Sequence, residues 1–212
     1  YFEKLCRFSN NIAKSPLQRN PPHPNNGLGA PKIMPSRSES DVIVKLDGVT
    51  IGYDENNPLA TIPSLLIKRG EILAIAGPSG IGKSTLLKTI AGLVSPLRGT
   101  IEVCGAPLPK RPLRGDLGYI PQRLGLIRHA SVMHNVLIGS RASMCASTQI
   151  FTSKEAKESA RNAICEMGLE QKMWESVKRL SGGQQRRVAT ARTLAQAPKI
   201  ILADEFLSEL DD

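Results

Sequence analysis

Apolar and polar residues alternate in the part of the chain that begins near Asp41. From residue 42 to residue 53, apolar side chains occupy nearly every second position on both sides of the pair Asp47-Gly48. Such alternation predicts half-buried strands, and an Asp-Gly pair between them is typical of a tight turn, so we predict a β-hairpin here. Two apolar runs, at residues 65–67 and 71–76, predict a strand, a turn and a second strand that is covered on both faces.

The apolar spacing changes to that of a helix at Lys83. One face of this predicted helix carries four apolar side chains: Leu86, Leu87, Ile90 and Leu93. Short apolar runs predict further strands at residues 99–103, 117–120 and 200–203. A helix is also predicted over residues 184–196, because the chain there lacks breakers until Pro198.

Residues 123–180 are predicted to be mainly helical. Residues 152–155 have the sequence Thr-Ser-Lys-Glu, which is typical of a capping box at a helix start. The helix that follows is expected to end at Gly168. Its apolar face consists of Ala156, Ala160, Ala163, Ile164 and Met167. Strands, a crossover helix and this helical insert together predict an α/β domain with a mostly parallel sheet.

Composition limits the classes of protein to consider. The chain has 212 residues, a formal net charge of +9 and four widely spaced cysteines without a Cys-x-x-Cys pair. The length suits one domain with a core of its own, and the cysteines favour neither a disulfide framework nor a zinc site. No run approaches the ~18 apolar residues of a transmembrane helix, and no secretory signal follows Tyr1. We interpret the charge as a mildly basic, solvated surface that is compatible with an anionic ligand such as a nucleotide.

Residues 1–40 differ in composition from the rest. They contain six of the 15 prolines and five asparagines, and are too polar and too interrupted to pack a core. We therefore predict a disordered linker or tail over residues 1–40 and a folded domain over residues 41–212.

A glycine-rich loop lies between the predicted strand at 71–76 and the helix that begins at Lys83. Its sequence fits G-x-x-x-x-G-K-[ST], the phosphate-binding loop of nucleotide hydrolases. Backbone N–H groups and the helix N-terminus would bind the phosphates, Lys83 would reach the terminal phosphates, and the Ser84 hydroxyl would coordinate Mg²⁺. The residues of this candidate ATP site are Gly77, Pro78, Ser79, Gly80, Ile81, Gly82, Lys83, Ser84 and Thr85.

Two acidic residues follow the apolar run at residues 200–203. At the carboxyl end of a parallel strand, Asp204 would reach the Mg²⁺ ion, and Glu205 would polarise a water for attack on the γ-phosphate. The alternative interpretation of such a pair is a solvated acidic turn.

A second anion-binding pattern begins with a serine and two glycines before a predicted helix. The pentapeptide Leu-Ser-Gly-Gly-Gln at residues 180–184, followed by Gln-Arg-Arg-Val-Ala, resembles the signature of ATP-binding-cassette ATPases. The resemblance covers residues 41–212 and implies a P-loop fold with a mostly parallel core sheet, an antiparallel β subdomain and a helical subdomain at about 123–182. It also implies that the signature contacts ATP on the opposing monomer through Ser181, Gly182, Gly183 and Gln184.

The same resemblance assigns roles to other residues. Tyr53 corresponds to an aromatic residue that stacks on adenine, although a buried strand aromatic is the alternative. Gln122, in Tyr-Ile-Pro-Gln, is similar to the glutamine that contacts Mg²⁺ and the attacking water. Ser208 and Asp211 resemble the loop that crosses to the opposing monomer.

Two features depart from the family pattern. Phe206 and Leu207 follow the expected catalytic Glu205, where the family usually has proline and a small or β-branched residue. The family's switch histidine is expected beyond Asp211, whereas all three histidines precede Asp204. We therefore interpret the sequence as a C-terminally truncated fragment with weak hydrolysis of its own.

The resemblance implies a transporter subunit that binds ATP and Mg²⁺ and hydrolyses ATP at the cytoplasmic face of a membrane. Its expected partners are a second ATP-binding subunit, transmembrane permease subunits and a solute-binding protein, and no nucleic acid is expected. Residues 117–122, 132–139 and 203–211 loosely resemble phosphonate importers. Exporter or lipoprotein-release ATPases, a soluble ATPase that acts in DNA repair or translation, and a non-catalytic nucleotide-binding remnant are the alternatives.

Overall fold

A computed structural model describes residues 41–110, 112, 115–142 and 152–204. Four strands form an antiparallel sheet in the order β2-β1-β3-β4. Their bounds are β1 Val42–Ile51, β2 Ala60–Lys68, β3 Arg98–Val103 and β4 Ala106–Pro107. The predicted strands at 65–67 and 99–103 are therefore confirmed, each within a longer strand.

The predicted hairpin around Asp47-Gly48 is wrong, because β1 continues through this pair as one strand of ten residues. Gly48 has φ +58, and the register of β1 against β3 shifts between Asp47 and Thr50. The pair thus forms an irregularity within the strand, of the kind that β-bulges produce. Gly99 on β3 permits it, because a Cβ at that position would lie 2.6 Å from the Asp47 carbonyl oxygen.

Two parallel strands form the second sheet, β5 Leu117–Ile120 and β6 Ile200–Ala203. Both strands were predicted. Among the described residues, parallel pairing occurs between these two strands, and the strands of the other sheet pair antiparallel. The strand predicted at residues 71–76 is wrong: the segment has no assigned strand structure. Its burial still alternates, since Leu73 and Ile75 pack against the core while Ile72 is 92% exposed. A strand needs a neighbouring backbone to bond with, and the described strands provide none at this segment.

Four α-helices are described: α1 Lys83–Ile90, α2 Val132–Ala142, α3 Thr152–Glu166 and α4 Gly182–Leu194. Two short 3₁₀-helices lie between α3 and α4, at Glu170–Lys172 and Val177–Arg179. The helix predicted from Lys83 is confirmed, but it ends before Leu93, which is 58% exposed. The predicted capping box at 152–155 includes side chains outside the described set.

The described residues pack into two apolar clusters. One lies between the antiparallel sheet, α1 and the β5–β6 pair, and includes Leu46, Ile51, Leu86, Ile101 and Leu202. The other joins α2, α3 and α4, and includes Val136, Ala160, Ile164, Leu169 and Val188. The predicted apolar face of α3 is confirmed, because four of its members are buried and Met167 packs against the same cluster.

Among the described helices, none combines the length and hydropathy that crossing a bilayer requires.

Candidate active site

The glycine loop, residues 77–85, enters α1 through two glycines with positive φ. Gly80 has φ +82 and Gly82 has φ +102, conformations that residues with a side chain rarely adopt. Gly82 is the residue before α1, so no side chain caps the helix, and its first turn contains no acidic residue. The N–H groups of this turn are thus available to an anion, and the helix dipole favours negative charge there.

Lys83 folds back over the glycine loop. Its Nζ donates to the carbonyl oxygens of Gly77 at 2.7 Å and Pro78 at 2.9 Å. An ammonium group has three donor hydrogens, so one is left for a further acceptor. The loop therefore holds a positive charge beside its own backbone N–H groups.

Ser84 and Asp204 meet although 120 residues separate them. The Ser84 hydroxyl donates to Oδ1 of Asp204 at 2.8 Å. Asp204 directly follows β6, is 6% exposed, and donates its backbone N–H to the Ile120 carbonyl at 3.0 Å. A hydroxyl and a carboxylate are hard oxygen ligands, and Mg²⁺ in nucleotide sites is held by one or two such groups plus phosphates and water. The donor set thus fits the expected Mg²⁺.

Gln122 lies at the same end of the parallel pair. It comes two residues after the end of β5, as Asp204 comes one residue after β6, and carboxyl ends of neighbouring parallel strands share one edge. Gln122 is an exposed residue and already makes an interaction within the protein. The fold thus places the three predicted Mg²⁺ contacts in two adjoining places: Ser84 lies at the start of α1, and Asp204 and Gln122 follow the carboxyl ends of β6 and β5.

Tyr53 follows the end of β1, which contacts the glycine loop. A Cβ at Gly82 would lie 3.3 Å from Cδ1 of Ile51 and 3.4 Å from Cβ of Leu59, so the loop packs against this strand end. Tyr53 is 68% exposed, which contradicts the alternative of a buried strand aromatic. Its ring is available for stacking at the edge of the loop.

Thr85 is a buried member of the predicted ATP site. It is 7% exposed, and its carbonyl accepts a hydrogen bond from the Thr89 hydroxyl at 2.8 Å. Its side chain points into the packed side of α1, so only its backbone N–H is suited to a phosphate contact.

The signature residues form the beginning of α4. The Ser181 hydroxyl accepts from the Gln184 N–H at 3.3 Å, and Gln184 Oε1 accepts from the Ser181 N–H at 3.0 Å, which is a complete capping box. Ser181, Gly182 and Gly183 are exposed, and a Cβ at either glycine would meet nothing within 4 Å. Since α4 packs on α2, α3 and β5 whereas α1 packs on β1, the signature and the glycine loop have different neighbours.

Two residues near the site were missed from the sequence. The hydroxyl of Tyr119 is buried near the Asp204 carboxylate, but no partner among the described residues lies at hydrogen-bond distance. Burial, followed by the charge of that carboxylate, raises the pKa of this phenol. Arg192 donates to two carbonyl groups of the loop that carries Gln122. An aromatic in a strand and an arginine in a helix carry no local sign of these roles, because their partners are distant in sequence.

Several predicted residues lie outside the described residues, namely Glu205, Phe206, Leu207, Ser208 and Asp211. Within the described ranges, no group of three or more His, Cys, Asp or Glu side chains is arranged to hold a metal ion.

Comparison with known proteins gives a consistent family. A family model described as ABC transporter matches residues 61–208. The phosphonates import ATP-binding protein PhnC of Anaeromyxobacter dehalogenans is 42% identical over 156 residues, which are 70% of this chain and 31% of that protein. The protein of the same name from Thiobacillus denitrificans is 40% identical over 150 residues, 68% of this chain and 58% of that protein. The chain thus spans less than two thirds of the length of these two relatives.

Solved structures give the same fold. The dimer of the ATP-binding cassette MJ0796 in a post-hydrolysis state, bound to ADP and Pi, has a TM-score of 0.67 and 32% identity, over 80% of this chain and 77% of that chain. A bacterial Atm1-family ABC exporter with ATP bound has a TM-score of 0.65 and 26% identity, over 87% of this chain and 32% of that chain.

Proposed function

The chain belongs to the ABC transporter family, and from this premise we propose that it is the ATP-binding and ATP-hydrolysing subunit of a membrane transporter. The observation that carries the proposal is the hydrogen bond between Ser84 and Asp204, because it brings an oxygen pair suited to Mg²⁺ to the start of the glycine-loop helix. Lys83 and the uncapped N–H groups of α1 supply positive charge beside it.

In this proposal each part of the site binds one part of Mg-ATP. The glycine loop and Lys83 bind the β- and γ-phosphates, and Tyr53 stacks on the adenine. Ser84, Asp204 and Gln122 hold Mg²⁺, which neutralises charge on the phosphates when bound. Glu205, the residue after Asp204, orients and polarises the attacking water.

The signature completes the site of a second copy. Ser181, Gly182 and Gly183 are exposed at the positive end of α4, and the Ser181 hydroxyl is already oriented by its capping box. We propose that two chains associate head to tail, so that the γ-phosphate on one glycine loop meets the signature of the other. Ser208 and Asp211 would cross the same interface. Association would then depend on ATP, and hydrolysis would release it.

The proposed cargo is a phosphonate or a similar small solute, imported through permease subunits at the cytoplasmic face of the membrane with the help of a solute-binding protein. Support comes from the named relatives, whose 40–42% identity exceeds the 26% identity to the Atm1-family exporter. Export is the second candidate, because that exporter has the same cassette fold.

Nucleotide binding is tested with Lys83→Ala and a matched control, Lys88→Ala, which removes a lysine from the last turn of the same helix. A hydrogen bond to a charged group contributes about 1.5–3 kcal/mol, so Lys83→Ala should weaken Mg-ATP binding by about 10- to 100-fold. Isothermal calorimetry on the full chain measures this. Equal affinity of wild type and Lys83→Ala would overturn the assignment of the glycine loop.

Dimerisation and cargo need separate tests. Glu205→Gln should accumulate an ATP-dependent dimer in sedimentation experiments, and Ser181→Arg in the same chain should abolish the dimer but spare binding of ATP to the monomer. For cargo, deletion of the gene should prevent growth on an alkylphosphonate as sole phosphorus source and leave growth on inorganic phosphate normal. Normal growth of the deletion strain on the phosphonate would refute import of this solute.

A further inference from the structure

The loop that carries Gln122 contains two consecutive residues in the left-handed region. Leu124 has φ +54 and Gly125 has φ +58. Glycine adopts this conformation freely, but for leucine it is unfavourable. The surrounding structure must therefore hold Leu124 in this conformation, and its carbonyl group accepts a hydrogen bond from a neighbouring helix.

Arg192 of α4 binds both carbonyl groups. Its Nη2 donates to the Leu124 oxygen at 2.6 Å, and its Nη1 donates to the Gly125 oxygen at 2.7 Å. The planar guanidinium presents two parallel donors, which match two neighbouring carbonyls. Burial lowers the pKa of Arg192 from its ordinary value, and no ion pair with it occurs among the described residues. In the part of the chain that the structure describes, its guanidinium therefore bonds to backbone oxygens.

Asn135 of α2 fixes the next part of the loop. Its Oδ1 accepts from the Ile127 N–H at 2.8 Å, and its Nδ2 donates to the Ile127 carbonyl at 3.0 Å. Asn135 is fully buried, whereas Ile127 is 47% exposed. The loop is therefore attached to two helices, and the attachment nearer to Gln122 is the one made by Arg192.

We propose that Arg192 is a positioning residue, which ties the loop of Gln122 to the helix that begins at the signature, so that Gln122 and Ser181 move together. This inference rests on the proposed function for the roles of Gln122 and Ser181. Arg192 touches neither nucleotide nor Mg²⁺ in this scheme. It acts by keeping Gln122 at the carboxyl end of β5, beside Asp204.

The first test measures amide hydrogen exchange of the full chain by mass spectrometry. Arg192→Ala should speed exchange at residues 122–127 by at least tenfold and leave residues 83–90 unchanged. The matched control is Arg187→Ala, since Arg187 also lies on α4 but donates to one carbonyl, that of Met167, at 3.3 Å. Arg187→Ala should leave residues 122–127 unchanged. Unaltered exchange of this loop in folded Arg192→Ala, or a uniform increase throughout the helices, would overturn the proposal.

Arg192→Lys keeps the positive charge but cannot bind both carbonyls in one plane, so it should give an intermediate rate. This variant decides the question where Arg192→Ala fails to fold: wild-type exchange in Arg192→Lys would refute the two-carbonyl contact.

The second test separates positioning from stability. In Arg192→Lys, kcat for ATP hydrolysis should fall at least fivefold, and the Kd for Mg-ATP should rise by a smaller factor, because Gln122 is displaced whereas the glycine loop and Lys83 are untouched. Loss of both to the same extent would indicate general damage and count against positioning. A wild-type chain that neither binds nor hydrolyses ATP would refute the proposed function, whereas the exchange experiment would still report on the contact.

Discussion

Replacing Ser84 by alanine removes the hydroxyl that donates to Asp204. The bond is 2.8 Å long, and its acceptor is a carboxylate only 6% exposed, so the variant leaves a buried charge with one donor fewer. Bonds to charged groups contribute ~1.5–3 kcal/mol. Ser84 is half-buried, so water replaces part of the bond, and we expect a loss of about 1.5 kcal/mol. For a domain of this size, that lowers Tm by roughly 3–6 °C.

Thermal unfolding of wild type, Ser84→Ala, Asp204→Asn and the double variant, without nucleotide, measures the coupling between the two side chains. We expect about 1 kcal/mol of coupling, whereas independent sites add to within about 0.3–0.5 kcal/mol. Ser84→Thr is the control, because it keeps the hydroxyl. Additive effects of Ser84→Ala and Asp204→Asn would refute the reasoning.

The same variants test the proposed Mg²⁺ site. Mg-ATP should raise the Tm of wild type and Ser84→Thr more than ATP alone does, because only a ligand with Mg²⁺ gains the Ser84 and Asp204 oxygens. Ser84→Ala should lose most of that increment. An equal increment in Ser84→Ala would exclude the hydroxyl as a ligand.

Three further predictions concern stability, and urea unfolding measures each of them. Tyr119→Phe removes a buried hydroxyl that has no described partner at hydrogen-bond distance and should stabilise the fold by about 1 kcal/mol; a loss of stability at pH 7 would contradict this environment. The stability difference between variant and wild type should grow as the pH rises past about 10, because the raised pKa keeps the phenol neutral in the folded wild type while the unfolded chain ionises. Gly139→Ala should destabilise the fold by about 1 kcal/mol although alanine has the better helix propensity, because the added Cβ would overlap the carbonyl oxygen of Arg192 and push α2 away from α4. A variant more stable than wild type would contradict this close packing of the two helices. Ile164→Ala should lower the free energy of unfolding by about 2–4 kcal/mol, because it opens a cavity in the helical cluster. The control Ile138→Ala, at a side chain that is 44% exposed, should lower it by less than about 1 kcal/mol, and equal losses would contradict the difference in burial.

Local patterns in the sequence predicted much of this fold. Short apolar runs predicted the strands at 65–67, 99–103, 117–120 and 200–203, and the 3.6-residue spacing of apolar side chains predicted the helices that became α1 and α3, because each of these helices buries one face. The absence of helix breakers before Pro198 predicted α4. The glycine loop was predicted for the same reason: its chemistry depends on nine consecutive residues. Where the structure differs, at Gly48 and at residues 71–76, the outcome depended on a neighbouring backbone, which no local pattern contains.

By itself, the sequence determined the glycine loop, the helix that begins at the signature and the family to which both belong, because these features are built from residues close together in the chain. Only the tertiary structure decided that Ser84 reaches Asp204 and that Arg192 holds the loop of Gln122. The physical reason is the nature of the partners. One contact joins residues 120 positions apart, and the other ends on backbone carbonyls, a group that every residue has and that no side-chain pattern can mark.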